Sequence, residues 1–212
     1  MTLSGRSRSS RRATDREASR STTWDVVLRA HPWDAVIAVG APDTGFVSSA
    51  VPPDAETVVF EPDQTARDAL AHALDALGTA ARFEAATIVG TDDPAAGTTS
   101  LDGCLAHRGH TSACLWVDVD GGAVPVLAGG ARYLGRLSRL AVVVNPARED
   151  PSSLLHLARS WRLYLHDVRV HRLVRLPGDD PYHIQGMLDA SWLDSRHAVV
   201  LPRHRDCAWR PL

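Results

Sequence analysis

What most constrains the fold of this 212-residue chain is a regular alternation of short, mostly apolar runs with helix-length amphipathic segments. Asp34-Ala-Val-Ile-Ala-Val39 is a continuous apolar run of strand length, stopped by Gly40. Thr57-Val-Val-Phe60 and Leu140–Val144 repeat the pattern, and Phe83–Val89 and Cys114–Val119 read as the third and fourth strands. Runs with no polar face read as strands buried on both sides, the mark of a parallel sheet covered by helices. Between them, Asp63–Leu77 carries Ala66, Leu70, Ala73, Leu74 and Leu77 on one helical face, with Asp63 as N-cap and Gly78 as stop. A helix is expected from Leu127 to Leu134 and another from Ser153 to Arg162, with a short lead-in helix at 22–28. Val168–Leu176 and Ala198–Leu201 are expected to add an antiparallel pair at the edge. The predicted architecture is α/β: a Rossmann-like, mostly parallel twisted sheet with helices on both faces.

Composition divides the chain. Residues 1–20 hold six arginines against Asp15 and Glu17, so the remainder carries 17 basic and 23 acidic side chains. Residues 1–22 read as a disordered Arg/Ser-rich arm and residues 23–212 as a single domain. An acidic body argues against a nucleic-acid groove. All 23 basic residues are arginine, which excludes P-loop and pyridoxal-phosphate chemistry, both of which need a lysine. Arg11-Arg12 has no apolar stretch behind it, so no export signal is expected, and no window is long enough to span a membrane. Cys104, Cys114 and Cys207 make no C-x-x-C pair, which suits a reducing cytoplasm.

In such a sheet, ligands lie across the carboxyl ends of the strands, where chain order reverses. The residues that follow the first four runs are Gly40-Ala-Pro-Asp-Thr-Gly45, Glu61-Pro62-Asp63, Gly90-Thr-Asp92-Asp93 and Asp118-Val-Asp120-Gly121-Gly122. Glycines admit close backbone approach, and an acid after the second strand can accept bonds from two ribose hydroxyls. The combination points to a nucleoside-bearing cofactor. The first loop is neither G-x-G-x-x-G nor a Walker loop, and the spacing to Glu61 suits either NAD or S-adenosylmethionine.

Taken together, Val36-Ile-Ala-Val-Gly-Ala41 with Gly45-Phe46, Val58-Val-Phe-Glu-Pro-Asp63, Thr98-Thr-Ser-Leu-Asp102, Leu115-Trp-Val-Asp-Val-Asp-Gly121 and Val126-Leu-Ala-Gly-Gly130 resemble, in order, the motifs of FkbM-type S-adenosylmethionine-dependent methyltransferases. The likeness covers about residues 34–145. It implies a class I methyltransferase fold and O-methylation of a small molecule or glycan. It implies Gly40, Ala41 and Gly45 against the cofactor's amino-acid portion, Glu61 on its ribose, Asp92 near the adenine and Asp118 beside the methyl-transfer site. Asp118, Asp120 or a loop histidine would serve as general base. The acid of the family's first motif is Ala38 here, with Asp43 as its substitute, and the lysine of the fourth motif is Trp116.

Two alternatives stand beside this reading. One is a non-catalytic descendant of the same fold acting as a binding or scaffold module. The other is zinc binding through Cys104, His107, His110 and Cys114. His166, His171, His183, His197 and His204, and Trp161, Trp192 and Trp209, are candidates to line an acceptor pocket. No G-x-S-x-G elbow is present to anchor a hydrolase.

Overall fold

The structure, a computed structural model, describes residues 23–41, 51–52, 54–120, 122–167, 169–170, 172–176, 186–190 and 193–202. The main sheet contains β1 (Ala35–Val39), β2 (Glu56–Phe60), β3 (Ala81–Glu84), β6 (Ser112–Val117), β7 (Arg139–Val144), β8 (Trp161–Asp167), β9 (Arg172–Arg175) and β10 (Leu193–Pro202). Their order is β3-β2-β1-β6-β7-β10-β8-β9. The first five are mutually parallel, and β10 enters antiparallel between β7 and β8. Six of the eight strands therefore point one way, as expected of a Rossmann-like α/β sheet. The antiparallel addition, expected at the edge, is instead inserted, with β9 outermost. A second ladder pairs β4 (Thr87–Ile88) with β5 (Thr98–Thr99).

Side-chain alternation divides the core into two layers. Ala35, Ile37 and Val39 of β1 face the same layer as Leu115 and Val117 of β6 and Val142 and Val144 of β7. Val36, Ala38, Cys114, Trp116, Ala141 and Val143 face the other. The first layer is covered by α3 (Leu101–Leu105), α4 (Ala123–Gly129), α5 (Ala131–Arg136) and α6 (Pro151–Ser160). The second is covered by α1 (Thr23–Arg29), through Val27 and Leu28, and by α2 (Gln64–Ala76), through Leu70 and Leu74. Crossovers that step away from β1 in opposite directions must lie on opposite faces if both are right-handed, and α2, between β2 and β3, and α4–α5, between β6 and β7, do so.

Local chemistry fixes the helix ends. Asp63 accepts the Ala66 N–H at 2.7 Å and caps α2, while Gly78, at φ +70°, closes it. Asp150 caps α6 through the amides of Ser152 and Ser153. The expected single helix at 127–134 is two helices meeting at Gly130. Expected to run to Arg162, α6 stops at Ser160 because Trp161 is already extended, at φ −124° and ψ −178°. From there Leu163 and Leu165 alternate into the core as β8. The expected third run also divides: β3 joins the main sheet and β4 the small one. Among the described residues no helix is long and apolar enough to cross a membrane.

Candidate functional site

Chain order reverses between β1 and β6, since β2 and β3 extend to one side of β1 and β6 and β7 to the other. At this switch point Val39 is the register partner of both Phe60 and Val117. The Gly40 N–H donates to the Phe60 carbonyl at 2.9 Å, and the Asp118 N–H donates to the Val39 carbonyl at 2.9 Å. On the next strand Val117 pairs with Val144, and the Asn145 N–H reaches the Val117 carbonyl at 3.4 Å. Glu61, Gly40, Asp118 and Asn145 are thus the first residues past four adjacent strands, aligned at one level along the carboxyl edge. This is the position that open α/β sheets use for ligands.

Gly40 cannot be another residue without rearrangement. Its φ is +89°, and a Cβ there would lie 2.2 Å from the Asp118 carbonyl oxygen and 3.1 Å from Val119 Cγ1. Ala41 beside it is exposed. Asp43 and Gly45 lie outside the described residues. Glu61 is 8% exposed, and its Oε1 accepts the Asp63 N–H at 2.8 Å. Arg67, one turn into α2, donates to the carbonyls of Glu61 and Pro62, which fixes the turn that carries the carboxylate.

The far side of the crest is built by five consecutive residues after β7. Asn145 Oδ1 accepts the Ala147 N–H at 3.0 Å, closing the 3₁₀ turn Pro146–Arg148, while its Nδ2 donates to Asp118 Oδ1 at 3.1 Å. Arg148, carried on that turn, places Nε 3.3 Å from Asp118 and Nη1 2.7 Å from Asp120. Glu149 Oε1 accepts the first amide of α4, Ala123 N–H, at 2.6 Å. Its Oε2 is buried against Gly122, with no hydrogen-bond partner among the described residues. Burial pushes the Glu149 carboxyl up, opposed by the Ala123 bond and reinforced by the nearby Asp150 charge. Residues 145–149 therefore clasp the loop 118–123 at three points. Asp118 is half-buried and doubly held, whereas the Asp120 side chain is 92% exposed.

Asn145, Arg148 and Glu149 are absent from the sequence-derived candidates. The positional rule that selected Glu61 and Asp118, taking whatever follows a buried strand, finds them when it is extended to the fifth run.

Asp92 follows β4, a strand of the small ladder rather than of the main sheet. Its Oδ1 accepts the Ser100 N–H at 2.6 Å and the Thr99 hydroxyl at 3.0 Å, and the Ser100 amide bond leads the contributions that hold its pKa below the usual range. The structure brings together Gly40, Ala41, Glu61, Asp118 and Asp120, and sets Asp92 to bracing the entry to α3.

The four candidate zinc ligands are not assembled. Cys114 faces the second core layer, where burial pushes its thiol far up, while Cys104 packs against the first. His110 is engaged on both ring nitrogens, 2.8 Å from the Tyr133 hydroxyl and 2.8 Å from Glu56 Oε2. His107 is exposed. Among the described residues no three His, Cys, Asp or Glu side chains are grouped to hold a metal. Of the remaining candidates, His166 and His197 are buried in β8 and β10, and the His197 ring lies 5.2 Å from that of Trp116. Trp161 is half-buried at the start of β8. His171, His183, His204, Trp192, Trp209 and Cys207 lie outside the described residues.

No family model matches the chain, and no curated protein does. A crystal structure of a protein from Corynebacterium glutamicum aligns with a TM-score of 0.45 and 12% identity, over 94% of this chain and 91% of that one.

Proposed function

We propose that the chain is an S-adenosylmethionine-dependent methyltransferase related to the FkbM type, acting on an oxygen of a small molecule or glycan. The observation that carries the reading is the alignment of Glu61, Gly40 and Asp118 past three adjacent strands at the switch point. The strand order, with an antiparallel strand inserted between β7 and β8, supports a class I methyltransferase fold in particular.

The residues present suit the cofactor chemically. Glu61 offers a buried acceptor at the end of β2 for vicinal hydroxyls, and its turn is locked by Asp63 and Arg67. Gly40 keeps the β1 and β6 ends in backbone contact, so a ligand lying across them meets main chain rather than side chain. S-Adenosylmethionine, when bound, supplies an activated methyl group on a positively charged sulfur. The protein's share is then orientation of the acceptor oxygen, which alone can provide much of the acceleration, with proton removal as an addition. Asp118, oriented by Asn145, is the carboxylate suited to hold an acceptor hydroxyl and take its proton. Asp120 neighbours it on the same loop.

The experiment is calorimetric titration with S-adenosylmethionine and S-adenosylhomocysteine. Heat from both, weakened about tenfold or more by Glu61→Ala, supports the reading. An absence of heat and of thermal shift at millimolar ligand overturns it. In that event the non-catalytic binding module is favoured, and it has an observation of its own: the positions of the resembled acid and lysine are Ala38 and Trp116, both buried in apolar core.

A further inference from the structure

Arg148 is a cation on the candidate crest, and it is spent on the crest's own acids. Its Nε is 3.3 Å from Asp118 and its Nη1 2.7 Å from Asp120. The arginine side chain is 51% exposed and Asp118 15%, so the guanidinium covers a largely buried carboxylate from the solvent side. Asn145 makes the arrangement independent of Arg148. Through Nδ2 it holds Asp118, and through Oδ1 it fixes the turn, so the carboxylate stays oriented if the guanidinium leaves. The exposed pair with Asp120 contributes little, so displacing Arg148 chiefly costs its contact with Asp118, which an incoming cation replaces.

We propose that Arg148 is an internal competitor for a cationic ligand: it occupies the Asp118–Asp120 pair in the free protein and is displaced when a positively charged group binds there. The inference rests on the methyltransferase reading, in which that group is the sulfonium of S-adenosylmethionine. Its consequence concerns selectivity. S-Adenosylmethionine carries one positive charge that S-adenosylhomocysteine lacks, so removing the competitor should favour the first over the second. The competing arginine narrows the difference in affinity between cofactor and product.

The test measures the affinities of both nucleosides by calorimetry for the wild type, Arg148→Gln and Arg148→Lys, with circular dichroism to verify the fold. Arg148→Gln should bind S-adenosylmethionine about three- to tenfold more tightly and S-adenosylhomocysteine within about twofold of wild type. The gain should shrink as salt is raised, because the competition is between screened charges. Arg148→Lys, which keeps the charge, should stay near wild type. Equal weakening of both ligands, or an unchanged ratio, would assign Arg148 to the clasp alone and overturn the inference while leaving the cofactor reading intact. Absence of binding in all three proteins overturns that reading, and this inference with it.

Discussion

Ala38 on β1 and Trp116 on β6 are register partners in adjacent parallel strands, and both are buried on the same face of the sheet. In the sequence they are two separate departures from the resembled motifs, one lacking an acid and the other a lysine. In the fold they are one site, where a small and a large apolar side chain pack side by side in the same core layer. The Trp116 ring fills space beside Ala38 and His197.

Trp116→Lys should therefore destabilise the domain by at least about 3–5 kcal/mol, through lost ring packing and an unpaired buried charge. Ala38→Asp together with Trp116→Lys should recover about 1–3 kcal/mol relative to the sum of the single changes, since cross-strand neighbours couple. Chemical denaturation of the four proteins measures this. Additive losses would show that the two positions are independent.

Gly40→Ala tests the crest. Positive φ alone costs about 1–3 kcal/mol, and the new methyl group also meets the Asp118 carbonyl. Gly78→Ala is the internal control: its φ is +70°, but a Cβ there has no atom within 4 Å. Gly40→Ala should be clearly the more destabilising in thermal melts, and the one that abolishes nucleoside binding. Equal losses would remove the close approach from the site.

His110 separates the zinc reading from a structural one. Replacing it by Ala leaves the buried Tyr133 hydroxyl and Glu56 without the partner that joins them, at a cost of about 1–3 kcal/mol. Zinc content after metal-free purification should be the same in variant and wild type. A stoichiometric ion in the wild type, lost in the variant, would reinstate the ligand set.

Acid should weaken the fold through two carboxylates. The Ser152 hydroxyl, with the Ser153 amide and hydroxyl and the Ser152 amide, holds Asp150 at about 2, and the Arg169 guanidinium holds Asp167 at about 2. Both values are depressed from 3.8, so the stabilisation is complete above that value and is lost as pH falls through it towards 2. Denaturation midpoints followed from pH 5 to about pH 2 should show a decline that Asp150→Asn reduces. A variant with the wild-type profile would mean that the α6 cap contributes nothing to the acid limb.

The sequence by itself determined the strands of the parallel core, the α2 cap and stop, and the loops at the strand ends. These are local: an apolar run of five, an Asp three residues before a free amide and a glycine at positive φ each carry their own physics. That is why Gly40, Glu61 and Asp118 were legible. Segment ends were less so where two periodicities overlap, as at Ser160–Trp161, or where a run crosses between ladders, as between β3 and β4. Tertiary structure alone decided which strand ends meet. Pairing of β1 with β6 made neighbours of Ala38 and Trp116, and pairing of β6 with β7 set Asn145 and Arg148 on Asp118. It also dispersed the apparent zinc set, because Cys104 and Cys114 pack against opposite faces of the sheet. Proximity along the chain does not survive a sheet that buries alternate residues on opposite sides. Proximity across it comes from non-local packing, which no single segment encodes.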